Sequence, residues 1–239
     1  HLSIRRQRQM CIRDSNSGVQ DADNLGWKLA LVLDGRAPAA LLDSYEAERV
    51  AAADENILHS TRSTDFIAPK GDAARAYRDA VLELAAHHAF ARPLVNSGRL
   101  SRPTAYAESP LNDGAGWPGG TPPGAPAPDA PVLQNGRPGW LLRHIGDGFT
   151  LLVFGPPDAA LAATLPAGIV ALFVTAEDTP GALWDHAGLA AARFAAPRGG
   201  AVLLRPDQHV AARFAAPDPA ALRAAFDRAL GHSMAELPA

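Results

Sequence analysis

Cysteine is nearly absent. The single Cys11 in 239 residues excludes an intramolecular disulfide and a Cys-x-x-Cys redox centre, as suits a reducing compartment, with the cytoplasm as the default. Long apolar runs are missing too. None approaches the roughly 18 residues that a bilayer-spanning helix requires, so no membrane span is expected. Charge of one sign is not in excess: 22 Lys and Arg stand against 25 Asp and Glu, for a net charge of -3. With a pI near 6.2, the chain has no broad cationic footprint, which argues against nucleic acid as a partner. Residues 1–15, HLSIRRQRQMCIRDS, lack the apolar core and cleavage site of a secretory signal. This run gives way abruptly to well-patterned sequence at Asn16 and is similar to translated sequencing-adapter read-through. It is expected to be non-native and is left out of the fold reading, together with Cys11. The composition, 47% apolar and 20% charged, is that of a globular chain long enough for two small cores.

Helical periodicity dominates the first half. Between Asp21 and Leu33, Ala22, Leu25, Leu29 and Leu33 recur at helical spacing, with Trp27 and Leu31 on a second apolar flank. Asp21 and Asp23 fall in the first turn, where they complement the helix dipole, and Gly35 is placed to end it. A second helix is predicted over Asp43–Ile57, with Asp43 and Glu46 at capping-box spacing and Tyr45 and Ile57 facing inward. A third is predicted over Asp72–Phe90 on the face Ala73, Tyr77, Ala80, Val81, Leu84 and His88, closed by Pro93, with a turn at Asn96-Ser97-Gly98. Residues 114–131 are too rich in Pro and Gly for helix or ladder and are read as a linker, although Trp117 implies that it packs on something.

Beyond the linker the period shortens. Strands are predicted at Phe149–Phe154, Ile169–Val174, Ala201–Leu204 and His209–Arg213, and helices at Asp158–Leu165, Leu183–Phe194 and Asp218–Leu230. Arg205-Pro206-Asp207-Gln208 is a tight turn between the last two strands. The order β-α-β-α-β-β-α requires a right-handed parallel crossover and then a hairpin, which is the thioredoxin order. Gly155-Pro156-Pro157-Asp158 stands where a redox member would carry its cysteines. The domains expected are therefore 16–113, the linker 114–131, and an α/β domain over 132–239 able to fold by itself.

The most specific motif is Asn16-Ser17-Gly18-Val19-Gln20-Asp21-Ala22-Asp23-Asn24-Leu25-Gly26-Trp27-Lys28-Leu29-Ala30. It resembles the segment of class A FAD-dependent aromatic monooxygenases in which a loop ending in Asn-x-Gly leads into a helix. Tyr45-Glu46-Ala47-Glu48-Arg49, Asn56 to Thr61, Ser109-Pro110-Leu111 and Arg205-Pro206-Asp207 with Val210 and Arg213 are similar to further segments of that family. The likeness is strongest to hydroxylases of phenols and 3-(3-hydroxyphenyl)propionate, and it covers nearly all of residues 16–239.

The resemblance implies the C-terminal helical part of a FAD-binding monooxygenase domain followed by a thioredoxin-like domain. It implies FAD as cofactor, NAD(P)H as co-substrate and a small phenolic substrate, and it leaves a homodimer open. Asn16, Ser17 and Gly18 would place backbone N–H groups at the flavin edge, where a helix N-terminus favours anionic charge. Leu25, Trp27 and Leu29 would be core, and Asn24 and Lys28 would cap and pack the helix. The Gly-x-Gly-x-x-Gly fingerprint that such enzymes place between a strand and a helix for the dinucleotide is missing ahead of the Asn16 motif, so a fragment is expected, inactive alone and unable to retain FAD. Catalytic residues are not assignable. His59, His87 and His88 lack a third ligand at diagnostic spacing, and no metal is expected. Asp207, His209 and Arg213 are read as hairpin and edge-strand residues. The alternative is a non-enzymatic thioredoxin-like interaction module with a helical arm.

Overall fold

The computed structural model describes residues 2–95, 103–114 and 116–234, with side chains described for 16–95, 103–114 and 116–233. The expected turn at Asn96-Ser97-Gly98 lies outside these residues. The chain divides into two compact units, 1–48 with 105–239, and 49–104. Neither border falls in the Pro/Gly-rich stretch 114–131.

The first unit is built on a seven-stranded sheet. Its strands are β1 (Pro131–Gln134), β2 (Arg137–Trp140), β3 (Phe149–Phe154), β4 (Ile169–Thr175), β5 (Leu183–Trp184), β6 (Ala201–Leu204) and β7 (Val210–Phe214). They lie in the order β2-β1-β5-β4-β3-β6-β7. β3 and β4 are parallel, with Phe149 beside Ile169, whereas β3 and β6, and β6 and β7, are antiparallel. Every residue of β3 is buried, as expected of a strand covered on both faces.

The pleat sorts its side chains. Phe149, Leu151 and Val153 join a cluster with Trp27, Leu31, Leu41 and Phe226. Leu152 and Phe154 join one with Trp117, Leu141 and Phe194 on the other face. Trp27 and Phe226 both meet the Phe149 ring edge-on, at centroid distances of 5.7 and 5.0 Å, a favoured arrangement for aromatic pairs.

The helices of this unit are α1 (Leu2–Leu33), the start of α2 (Asp43–Ile67), and three after the sheet begins: α5 (Ala159–Thr164), α6 (Leu189–Phe194) and α7 (Pro219–Ala229). Asp158 and Asp218 cap α5 and α7 through their carboxylates. The stretch predicted as helix from Leu183 instead begins as β5, because Leu183 pairs with Val174 and Trp184 with both Thr175 and Leu133. Only Leu189–Phe194 is helical, and it starts after Gly188 at φ 65°.

The Pro/Gly-rich segment has a structural task. It lies along the outer edge of β7 through Gly124 N to Val210 O at 2.7 Å, Val210 N to Ala125 O at 2.9 Å and Ala127 N to Gln208 O at 2.8 Å. An exposed sheet edge is thereby covered. Close approach demands glycine at two points: a Cβ on Gly124 would lie 2.3 Å from the Tyr106 carbonyl oxygen, and one on Gly120 2.0 Å from that of Phe194. Both have positive φ, at 81° and 66°.

Two expectations about α1 are corrected. The helix does not begin at Asp21 but at Leu2, so Asn16, Ser17 and Gly18 are helical and no turn precedes Asp21. Residues 2–15 contain neither Pro nor Gly and include four Arg and two Gln, so nothing stops the helix from propagating backwards through Gly18, which costs only about 1 kcal/mol. The buried face also differs. Leu29 and Leu33 are exposed, at 40% and 77%, whereas Asn24, Trp27, Lys28 and Leu31 are buried. Polar partners from elsewhere in the unit draw this face inward.

The second unit is helical, formed by the remainder of α2, α3 (Asp72–His87) and α4 (Arg92–Val95). Its predicted inward face is largely solvent-facing: Ile57 and Tyr77 are 64% and 62% exposed, and in α3 only Val81 is buried. So short an assembly cannot cover every apolar stripe. Pro93 sits just inside α4, where its missing N–H costs little.

Candidate functional site

The face of α1 turned to the sheet carries Asn24 and Lys28, four residues apart and therefore stacked one turn above the other. Lys28 Nζ donates to Asn24 Oδ1 at 2.9 Å and to Glu48 Oε2 at 2.8 Å. Asn24 Nδ2 donates to Glu48 Oε2 at 2.7 Å. From the β6–β7 turn, Arg205 grips Glu48 with both terminal nitrogens, at 2.5 and 3.0 Å. Its Nε donates to Asp207 Oδ1 at 3.0 Å. Ser109 Oγ adds a fifth donor to Glu48, at 2.5 Å, and Trp27 Nε1 donates to Asp207 Oδ2 at 3.1 Å. Lys28 and Arg205 are wholly buried, and Glu48 is 2% exposed.

Four formal charges are thus enclosed with a sum of zero: Lys28 and Arg205 against Glu48 and Asp207. Burial pushes the Glu48 carboxyl up, but Arg205, Lys28 and Asn24 outweigh it and hold the group at about 2. Burial likewise raises Asp207, and Arg205 and His209 carry it well below the usual carboxylate range. Lys28 is brought down to about 8 by burial, against the pull of Glu48. Burial opposes the charge on Arg205, yet Asp207 and Glu48 leave its pKa raised. At the rim, burial and Asp207 raise Asp23.

An aromatic wall completes the cluster. Tyr106 stacks on His209 with ring centroids 4.5 Å apart. The Arg205 guanidinium lies 5.3 Å from the Trp27 ring and 5.6 Å from the Tyr106 ring, within cation–π reach. His209 Nδ1 is 3.0 Å from the Asp207 carbonyl oxygen and 3.4 Å from Asp207 Oδ1. The arrangement holds charge without exposing it. It can fix α1 against the β6–β7 hairpin, and it offers no open position for a reacting atom.

The predicted site residues lie elsewhere. Asn16 and Gly18 are exposed and Ser17 half-buried on α1, and a Cβ on Gly18 would touch nothing within 4 Å. Within a helix their N–H groups are committed to carbonyls four residues back. At Asn16–Gly18 this conformation therefore presents no free amide cradle for a flavin edge.

Asp207 and His209, expected only to shape a hairpin, belong to the buried cluster. Arg213 is on an edge strand, as read, but buried: it lies 5.0 Å from the Trp117 ring and donates to the Gly119 carbonyl at 2.7 Å. His59 is 3.9 Å from Glu55, and the ring of His88 faces that of Phe90 at 5.7 Å. Glu48 is the residue that sequence reasoning passed over. The available signal was a polar pair, Asn24 and Lys28, at i and i+4 on the same flank as Trp27 and Leu31, which requires a buried partner.

The likeness to known proteins follows the same segments. Residues 14–60 match the FAD binding domain family, and residues 121–233 match the family described as aromatic-ring hydroxylase, C-terminal. The chain is 32% identical over 92% of its length to tetracenomycin A2 monooxygenase-dioxygenase of Streptomyces glaucescens, spanning 38% of that protein. It is 48% identical over 67 residues to 3-(3-hydroxy-phenyl)propionate/3-hydroxycinnamic acid hydroxylase of Comamonas testosteroni, covering 28% of this chain and 11% of that protein.

Among solved structures, the flavin-dependent monooxygenase PieE, in complex with FAD and substrate, superposes with a TM-score of 0.67 at 28% identity, over 90% of this chain and 44% of that one. Aklavinone-11 hydroxylase, in complex with FAD and aklavinone, does so with a TM-score of 0.66 at 27% identity, over 90% and 40%. The chain thus spans less than half the length of these relatives. The chain thus belongs to the FAD binding domain family over its helical segment, residues 14–60, and to the aromatic-ring hydroxylase C-terminal family over its sheet, residues 121–233.

Proposed function

We propose that this chain is the C-terminal part of an enzyme that hydroxylates a phenolic ring with NAD(P)H and O2, and that residues 132–239 form a thioredoxin-like domain without a redox centre. One oxygen atom enters the ring and the other leaves as water, with NAD(P)H supplying the two electrons and a proton completing the balance. When bound, FAD supplies the hydride acceptance and oxygen activation. The observation that carries the reading is convergence. Asn24, Trp27 and Lys28 from the first motif, Glu48 from the second and Arg205 with Asp207 from the last form one buried network.

In this reading the network is a positioning device. It fixes the motif helix on the sheet, so that segments far apart in sequence keep one geometry. The strand order β4-β3-β6-β7, with one parallel and two antiparallel pairings, supports the thioredoxin-like assignment. A flavin-edge role for Asn16, Ser17 and Gly18 requires α1 to begin near Asp21. The test is the protein from the longer reading frame. It should be yellow, with a flavin band near about 450 nm set by the cofactor itself, and should consume NAD(P)H in step with hydroxylation of a phenol from a panel. A colourless protein that consumes no NAD(P)H would refute the reading in favour of an interaction module.

A further inference from the structure

On the opposite edge of the sheet from β7, the β1–β2 hairpin and the 3-10 turn Leu141–His144 border an open pocket of about 600 Å³. Its wall includes Gln134, Asn135, Arg137, Trp140, Arg143 and His144, with no Asp or Glu among the lining residues. Arg137 and Arg143 are exposed and His144 half-exposed. Among the described residues, none of these three side chains makes a hydrogen bond or ion pair. Trp140 is 46% exposed, although indole is ordinarily drawn into a core or an interface. Arg137 and Pro138 discourage further strand pairing at this edge, but that duty calls for neither Trp140 nor a second arginine.

The geometry points to a binding site for a small aromatic molecule carrying an anionic group. An indole face offers a stacking platform for a planar ring. Two guanidiniums without acidic partners offer fork-like donors for a carboxylate or phosphate. The volume falls within the range of small-molecule pockets, about 300 to 1,000 Å³. The site is separate from the buried network and does not depend on the proposed hydroxylase activity.

The four tryptophans provide the test, because each contributes one indole signal to a proton–nitrogen NMR spectrum of the full chain, and Trp140→Phe assigns the relevant one. Titration with 3-phenylpropionate or adenosine monophosphate should move the Trp140 signal saturably at millimolar concentration, and the tighter of the two identifies whether carboxylate or phosphate is preferred. The uncharged amide of 3-phenylpropionate should bind at least about tenfold more weakly, and Arg143→Ala should weaken the anion by a similar factor. Unchanged signals from Trp27, Trp117 and Trp184 would show that the variant is folded. Failure of both aromatic anions to move Trp140, equal binding of the amide, or inorganic phosphate binding as tightly as either aromatic anion would overturn the proposal.

Discussion

Replacing Glu48 with Gln removes the centre of the buried network with almost no change in shape. The carboxylate accepts five hydrogen bonds, from Asn24, Lys28, Ser109 and twice from Arg205. Gln has one acceptor oxygen, and its amide would turn two hydrogens towards Lys28 and Arg205, which can only donate. The enclosed charge goes from zero to one net positive. Breaking a buried pair from one side costs about 3 to 5 kcal/mol, a large share of the roughly 5 to 15 kcal/mol that holds a domain folded. For a chain of this size each kcal/mol moves the melting temperature by about 2 to 4 °C, so a fall of roughly 6 to 20 °C is expected. Calorimetry of the wild type and Glu48→Gln measures it. Lys28→Met made in the Glu48→Gln background should recover part of the loss, because it restores neutrality; in a double-mutant cycle the coupling should exceed about 1 kcal/mol. A fall smaller than 3 °C, or strict additivity, would refute the idea that the four charges act as one unit.

Acid should unfold the sheet unit through the same groups. The folded pKa of Glu48 is depressed to about 2 and that of Asp207 is lowered as well. Their contribution is therefore present above the ordinary carboxylate range and lost as pH falls from about 4.5 towards 2; Glu48→Gln should flatten that limb of a pH–stability curve. Lys28 works in the other direction, since its folded pKa of about 8 lies below its ordinary 10.5. The unfolded chain binds more protons between these values, so stability should rise with pH across that window, and Lys28→Met should abolish the rise in chemical denaturation measured from pH 7 to 10. Gly124→Ala should destabilise by several kcal/mol, because its Cβ would collide with the Tyr106 carbonyl at 2.3 Å and its φ is positive; an unchanged melting temperature would show that the 114–131 segment is not held as described.

The sequence made the sheet strands legible where the physics is local. Phe149–Phe154 and Ala201–Leu204 are β-forming runs between Gly and Pro, and both occur with those bounds. The β1–β2 hairpin was equally legible, although no element is predicted between the linker and Phe149: Asn135-Gly136, with φ of 51° and 74°, is a two-residue turn of the kind that joins twisted strands. The family was legible as well, because its motifs are short and contiguous.

Other features are not a property of any one segment. Helical periodicity marks the face of α1 carrying Leu29 and Leu33 as the apolar one, yet the structure buries the face carrying Asn24 and Lys28. The latter is worth burying only because Glu48, 20 residues beyond Lys28, and Arg205, a further 157 residues along the chain, supply opposite charges and donors. Tertiary structure likewise decided that Asp207 is a buried acceptor, and that a Pro/Gly-rich stretch would cover the edge of β7. A local pattern determines which strands and helices can form, since backbone propensity and solvent partitioning act over a few residues. Which polar groups can be buried depends on partners brought together only by the fold, because an enclosed charge is tolerable only when its counter-charge arrives with it.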